Sequence, residues 1–343
     1  MARRSQRTPL VSVLVPVRDG EEHLPAAIDS LERQELDDYE VIVVDDGSRD
    51  RTPELLAAWA RRDERVHLLR SPRRGIARAL DRALAEARAP LVARMDADDV
   101  ALPGRLVAQA AALEAEPGLD VLGTHVRVVS ASGERISDGM RRYEAWLTSL
   151  VTPSDIARDL FIESPFCHPT VMARRQRLVE AGGYRDVDGP EDYDLWLRLA
   201  RGGAVMANLP RVLLEWRDRQ DRATRTDPRY RAEAIQRLKL AHLLGWRLAG
   251  ARRVGIWGAG PFGKRWSQRL RARGVEVAFF VEVAPRKIGK TIHGAPVIAA
   301  SSLPPPGRVP VLVAVGLEGA RATIREQLAR HGYREPGDAL CLQ

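Results

Sequence analysis

The chain has 343 residues, 45% hydrophobic and 29% charged, with a formal net charge of +8. That length accommodates two cores, while no apolar run approaches the roughly eighteen residues of a membrane-spanning helix and the opening Met-Ala-Arg-Arg-Ser-Gln-Arg has no signal-peptide apolar centre. The basic residues are interleaved with acids and form no nucleic-acid module, so nucleic acid is not expected as a partner; two cysteines, Cys167 and Cys341, are too few for a disulfide framework and point to a reducing, cytoplasmic compartment.

Residues 10–16 (Leu-Val-Ser-Val-Leu-Val-Pro) have the pattern of a buried strand, and Leu24, Ala27, Ile28 and Leu31 share one face of a helix over 21–34. A strand over 39–44 runs into Asp45-Asp46-Gly47-Ser48. Ser48 or Asp50 is expected to cap the next helix, where Pro53 suits the first turn. A short strand at 66–70 and a helix at 76–87 follow. The apolar run Leu91-Val-Ala-Arg-Met then ends in Asp96, Asp98 and Asp99. A helix over 106–116 is halted by Pro117-Gly118, a strand covers 119–129, and Ser132-Gly133 gives a turn. The stretch 137–165 has no clear period and is expected to hold a mobile helix over the site. Glu191 and Asp192 start an amphipathic helix, Val212-Leu213-Leu214 is strand-like, and 217–231 reads as a mostly polar surface loop.

The strand–helix–strand order predicts a parallel sheet, in which ligands sit outside the carboxyl ends of the strands. Residues 16–22, 45–50 and 96–99 therefore converge on one crevice. Alternation along a strand puts Asp96 and Asp98 on one side, and two hard oxygen ligands there can hold a divalent cation that in turn holds a diphosphate.

Read together, Val-Ser-Val-Leu-Val-Pro-Val with Glu21 and Leu24, then Val-Val-Asp-Asp-Gly-Ser, then Met-Asp-Ala-Asp-Asp resemble a family-2 glycosyltransferase. Gly182-Gly183-Tyr184-Arg185 and the run from Glu191 to Arg198 match that family's acceptor-side segment, so the likeness covers about 9–217. The resemblance implies a GT-A nucleotide-diphospho-sugar transferase fold, a mainly parallel sheet flanked by helices, and an inverting transfer from a nucleotide sugar. It implies donor contacts from Pro16, Glu21, Asp45, Asp46 and Asp96, and from Arg78, although Ala79 replaces the asparagine the family often has beside it. It implies a Mg²⁺ or Mn²⁺ ion on Asp98 and Asp96, with Asp98 the direct ligand. His168 is expected to line the site. Asp192 is the expected base, with Glu191 orienting acceptor or donor sugar. Trp216 and Arg217, with Arg222 and Arg225, match an aromatic–arginine pair that the family often has near the diphosphate. The acceptor is a hydroxyl of a glycan, a lipid-linked saccharide or another molecule, in surface polysaccharide or glycoconjugate synthesis. The basic surface admits peripheral contact with the inner face of a membrane.

An Arg-rich helix over 230–248 leads into a second pattern. The strand 253–257 is followed at once by Gly258-Ala-Gly260-Pro-Phe-Gly263, which opens a helix with the spacing of a phosphate-type loop. Glu282 lies where a ribose-binding acid would sit. This tail resembles small Rossmann-like domains attached to polysaccharide-assembly enzymes. It is half of a dinucleotide-binding domain with no hydride-transfer residues beside it, so NAD is not expected and docking or regulation is its simpler role. The expected organisation is a catalytic domain over 9–227, a helical linker over 228–250 and a Rossmann-like α/β domain over 251–343. The alternatives are a sugar nucleotidyltransferase, which would want a glycine-rich basic loop that 16–24 does not supply, and a non-catalytic nucleotide-sugar sensor or scaffold.

Overall fold

The computed structural model describes residues 7–131, 133–317 and 319–343, which leaves Ser132 of the expected turn, and residues 1–6, outside the described residues. The chain divides into two compact units: Met1–Ile156 with Pro165–Arg231, and Ala157–Ser164 with Ala232–Gln343.

The first unit opens with strands and helices in alternation: β1 (Val11–Val17), α1 (Leu24–Glu32), β2 (Tyr39–Asp45), α2 (Thr52–Arg62), β3 (Val66–Arg70), α3 (Ile76–Glu86) and β4 (Leu91–Arg94). β5 (Val100–Ala101), α4 (Arg105–Ala115), β6 (Val121–Ser130), α5 (Asp138–Ser149), α6 (Pro153–Asp159), β7 (Met172–Arg174), α7 (Arg175–Glu180), α8 (Glu191–Arg201), β8 (Met206–Asp218) and the short α9 (Ala223–Thr226) follow. One sheet runs β3-β2-β1-β4-β7-β6-β8-β5. Its first four strands are parallel, and every residue of β2 is buried, as expected of a sheet covered on both faces. β7 is antiparallel to both its neighbours, and β5 to β8. Because β1 pairs with β2 on one side and β4 on the other, the chain's progression across the sheet reverses there, and a crevice opens at those carboxyl ends.

One buried acid inside this sheet is held by several donors. Glu40, 2% exposed in β2, accepts from Ser12 Oγ (2.8 Å), from Arg88 N (3.0 Å) and from Arg88 Nε (2.9 Å), with His67 Nε2 3.5 Å away. Burial alone would raise its pKa, but the bonds from His67, Arg88 and Ser12 outweigh it and hold the carboxyl at about 2.

Three local expectations are corrected. Neither Ser48 nor Asp50 is the N-cap of α2, which is Arg51. Asp50 instead accepts from Thr52 N and, across the crevice rim, from Glu21 N, while Ser48 Oγ accepts from Asp19 N. The stretch 137–165 holds two helices, with Met140, Tyr143 and Trp146 of α5 packed against the core. The surface run 217–231 begins within β8, whose register against β6 shifts at Pro210, a residue with no amide to give to the ladder.

The second unit contains α10 (Ala232–Gly245), β9 (Arg253–Trp257), α11 (Pro261–Arg271), β10 (Glu276–Glu282), β11 (Thr291–Ile292), β12 (Ala295–Ala299), β13 (Val311–Val313), α12 (Ala320–Arg330) and β14 (Ala339–Cys341). Its sheet runs β11-β12-β10-β9-β13-β14, parallel except for β11. α10, in the stretch expected to be a linker, is counted with this unit, and so is 157–164. The buried Lys239 of α10 donates to the carbonyls of Ile162 (2.5 Å) and Leu342 (3.3 Å), and Arg325 Nη2 donates to the buried Asp159 (2.5 Å).

Candidate active site

The acidic loop after β4 gathers three carboxylates. One carboxylate oxygen each from Asp96, Asp98 and Asp99 lie within 4.8 Å of one another. Asp99 is 1% exposed, and its Oδ1 accepts from the amide of Arg217 (2.8 Å). Its Oδ2 is buried with no hydrogen-bond partner. Burial, then repulsion from Asp96, raises the pKa of Asp98; burial with Asp96 and Asp98 pushes that of Asp99 well above the carboxylate range. Three crowded acids with an orphaned buried oxygen are a donor set that fits a hard divalent cation.

Arginines surround this loop. Arg94, the last residue of β4, is 2% exposed and forms an ion pair with Asp96 Oδ1. Beneath it, the fully buried Arg105 donates to the carbonyl of Arg94 (2.7 Å) and to Gln109 (3.1 Å), and Gln109 in turn donates to the carbonyls of Leu122 and Thr170. From β8, Arg217 Nη1 donates to the carbonyl of Asp98 (3.0 Å), and Arg219 Nη2 stands 3.5 Å from Asp98 Oδ2. Arg222 lies over the Trp216 ring at 4.1 Å, and Arg225 pairs with Asp218 at 2.8 Å. Residues 217–219 thus belong to the acidic centre and not to a detached surface loop.

On the acceptor side expected from sequence, Glu191 and Asp192 are the first two residues of α8, following Pro190. Glu191 is 2% exposed, its Oε2 accepts from Tyr230 OH (2.8 Å), and burial raises its pKa. Asp192 is half-buried and feels the same two phenols, Tyr184 and Tyr230. His168 contacts Tyr184 OH through Nε2 (3.1 Å), stands edge-on to Trp196, and lies 3.9 Å from Glu191 through Nδ1. Burial, followed by the charge of Arg94, holds His168 neutral, far below the usual imidazole pKa. Arg198 pairs with Asp194 (2.8 Å) and donates to the carbonyls of Ala181 and Gly183, which fixes the loop that carries Tyr184.

The remaining expected donor contacts line the crevice rim. Pro16 is a partly exposed residue of β1, in register with Val44. Asp45 Oδ1 accepts from Ser48 N (3.0 Å), and Asp46 accepts from the amides of Arg74 (2.7 Å) and Gly75 (2.8 Å), shaping the loop before α3. Glu21 Oε2 accepts from Arg51 N (2.9 Å) at the start of α2. Arg78 forms an exposed pair with Asp186 (3.2 Å). Arg74, Arg78, Arg82, Tyr184 and Asp186 line part of a groove of about 690 Å³ beside this rim.

In the second unit packing requires two of the three loop glycines, while a Cβ on Gly260 would meet open space. A Cβ on Gly263 would lie 1.9 Å from the carbonyl oxygen of Gly258, and one on Gly258 (φ +119°) 2.7 Å from that of Ala314. The Glu282 carboxylate accepts from Lys287 Nζ (2.8 Å) and from the amides of Val283 and Ala284. Burial would raise its pKa, yet these bonds lower it.

Sequence reading did not single out Arg94, Tyr230, Arg219 or the buried role of Asp99. The one available signal was an arginine inside the apolar run 91–95, a charge that a covered parallel strand has no reason to carry.

The profile of the family described as Glycosyl transferase family 2 matches residues 12–183, ending just before α8. The chain is 32% identical to the putative glycosyltransferase EpsE of Bacillus subtilis, over 68% of this chain and 84% of that protein. It is 31% identical to the amylovoran biosynthesis glycosyltransferase AmsE of Erwinia amylovora, over 68% of this chain and 86% of that protein. Among solved structures it is similar to S. aureus TarS 1–349 in complex with UDP-GlcNAc, with a TM-score of 0.54 and 20% identity over 69% of this chain and 67% of that one. It is also similar to the mannosyltransferase PcManGT from Pyrobaculum calidifontis in complex with GDP-Man and Mn²⁺, with a TM-score of 0.50 and 22% identity over 78% of this chain and 81% of that one.

Proposed function

From the premise that this chain belongs to glycosyl transferase family 2 and has the GT-A fold, we propose that it transfers a sugar from a nucleoside diphosphate to an acceptor hydroxyl, with a divalent cation and with inversion at the anomeric carbon. The observation that carries the reading is the Asp96–Asp98–Asp99 cluster with its orphaned, buried oxygen, set at the carboxyl end of β4 beside the reversal in strand order. Asp98 and Asp96 are the ligands assigned to Mg²⁺ or Mn²⁺, with Asp99 supporting them. When bound, the ion neutralises the departing diphosphate, a Lewis-acid effect worth several kcal/mol.

The chain's own residues divide the remaining work. Pro16, Asp45, Asp46 and the start of α3 with Arg78 form the wall assigned to the donor's base and ribose, and Glu21 braces that rim through α2. Asp192 takes the proton of the acceptor hydroxyl as its oxygen attacks the anomeric carbon from the side opposite the diphosphate. General-base help of this kind contributes about 10²–10⁴-fold. Glu191, its buried carboxylate held by the Tyr230 hydroxyl, orients the sugar or acceptor. His168, kept neutral by burial, serves as a hydrogen-bonding wall between Tyr184 and Glu191. Likeness to an amylovoran biosynthesis enzyme supports a place in surface polysaccharide assembly, with a glycan or lipid-linked saccharide as acceptor. No described helix is long and apolar enough to cross a membrane. The basic surface suits peripheral contact with anionic lipid.

The test is release of nucleoside diphosphate from a panel of nucleotide sugars with and without Mn²⁺ or Mg²⁺, in wild type, Asp98→Ala and Asp192→Asn. Metal-dependent turnover of one donor, lost in both variants while Asp192→Asn still binds that donor, is expected. Failure of every donor to bind in the presence of metal would overturn the reading.

A further inference from the structure

Arg94 is a charge in a place that strands normally fill with valine or leucine. It is the last residue of β4, 2% exposed, and its guanidinium meets the acidic cluster through an ion pair with Asp96 Oδ1. Its Nε is buried without a hydrogen-bond acceptor, and its Nη1, also buried, faces Asp96 Oδ1 alone. Below it Arg105, itself fully buried, is fastened to the Arg94 carbonyl and to Gln109, so Arg94 has a second cation and not a carboxylate beneath it. A buried guanidinium with one carboxylate partner and an unsatisfied Nε–H is unfavourable relative to an apolar side chain of similar size. Packing therefore does not account for it. What the charge does meet is a cluster of three mutually repelling acids, reached also by Arg219, 3.5 Å from Asp98 Oδ2.

Resting on the cation reading above, we propose that Arg94 is a tethered counter-ion of the Asp96–Asp98–Asp99 cluster, which keeps the cluster from holding a divalent ion by itself and makes ion binding depend on the donor's diphosphate. Two positive charges close to the same carboxylates repel each other, and Arg94 cannot leave. A free ion therefore faces a site that is already partly neutralised. An ion arriving with the diphosphate brings its own anionic ligands, which offset the repulsion of Arg94 and supply the coordination that Asp96, shared with Arg94, gives up. Arg94 acts through Asp96 and is a positioning residue, not a catalytic one. By reciprocity, the ion also strengthens nucleotide binding by the same factor.

The experiment is titration calorimetry of the full chain with Mn²⁺, alone and with UDP or GDP present, for wild type, Arg94→Met and Arg94→Lys. Wild type is expected to bind Mn²⁺ at least about tenfold more tightly when the diphosphate is present. Arg94→Met is expected to bind free Mn²⁺ about tenfold more tightly than wild type and to lose most of the coupling, while Arg94→Lys, which keeps the charge, retains the wild-type pattern. A residue that only supported the loop would weaken ion binding when removed. Unchanged or weaker binding in Arg94→Met, or the same tightening in Arg94→Lys, overturns the proposal. Circular dichroism establishes that each variant is folded. Should Arg94→Met not fold, wild type decides alone, because equal Mn²⁺ affinity with and without diphosphate also overturns it. Absence of Mn²⁺ binding to wild type under both conditions would instead bring down the cation reading on which this inference rests.

Discussion

Two buried carboxylates in the first unit show how differently the same side chain is treated. Glu40 receives bonds from Ser12 and Arg88 with His67 beside it, and its pKa falls to about 2; Asp99 has one bond and an orphaned oxygen, and its pKa rises. The first is a structural acid, the second a buried acid whose own surroundings leave it unsatisfied. For Glu40 the sign follows from its depressed folded value. Its contribution is fully present above the ordinary value of 4.5 and is lost as pH falls toward 2. Glu40→Gln is expected to lower stability by on the order of 3 kcal/mol at neutral pH. The gap from wild type in denaturant-unfolding free energy should shrink steadily below pH 4.5. A gap that stays constant from pH 7 down to pH 3 would show that the charge of Glu40 contributes nothing.

At the level of elements, β6 and β8 are joined so closely that one position has no room for a side chain. A Cβ on Gly123 would lie 2.1 Å from Asn208 Oδ1 and 2.6 Å from Phe166. Asn208 cannot yield easily, since its Nδ2 donates to the carbonyls of Leu150 (2.8 Å) and Pro165 (3.4 Å). Gly123→Ala is expected to destabilise by about 1–3 kcal/mol, readable as a lower denaturation midpoint with unchanged slope. A midpoint equal to wild type would mean that the strands part without loss. The same pair of strands marks where sequence reading stops. The alternation through β4 was legible because each strand is a short apolar run closed by acids, and α3 and α8 because their apolar residues recur at helical spacing. The two-residue β5, the bulge at Pro210 and the split of 137–165 into two helices were not, for each depends on a partner distant in sequence. In the site, Asp96, Asp98, Glu191 and Asp192 were readable because acids cluster at element ends. Arg217 was reachable only through the family resemblance, and Arg219 and Tyr230 were hidden in a basic run whose composition is that of any solvated loop.

At the level of the whole molecule, the two units differ in how much of their ligand chemistry the structure favours. The first gathers unsatisfied acids and arginines in one crevice, whereas in the second Gly258 and Gly263 are required by packing and Glu282 pairs with Lys287. The segment 157–164 belongs to the second unit although the first unit's chain continues after it. A protein ending at residue 231 would therefore carry Asp159, 3% exposed in the intact chain, without Arg325, and Ile162 without Lys239. Such a truncation is expected to melt at lower temperature and to bind the apolar dye ANS, both checked against the full chain. Melting as high as the intact protein would show that 157–164 stands unaided.

The consequence reaches beyond stability. Because the chain passes from one unit to the other at 156/157, 164/165 and again at 231/232, the second unit is built from two separate stretches of chain and not from the tail alone. A single nick between Arg231 and Ala232 would cut one of three covalent crossings and leave the amino-terminal fragment still owning a piece of the carboxyl-terminal core. The two halves should then reassemble as a split protein when produced separately. Conversely, exchanging the tail for that of a relative by joining genes at one point would mismatch a buried segment far upstream.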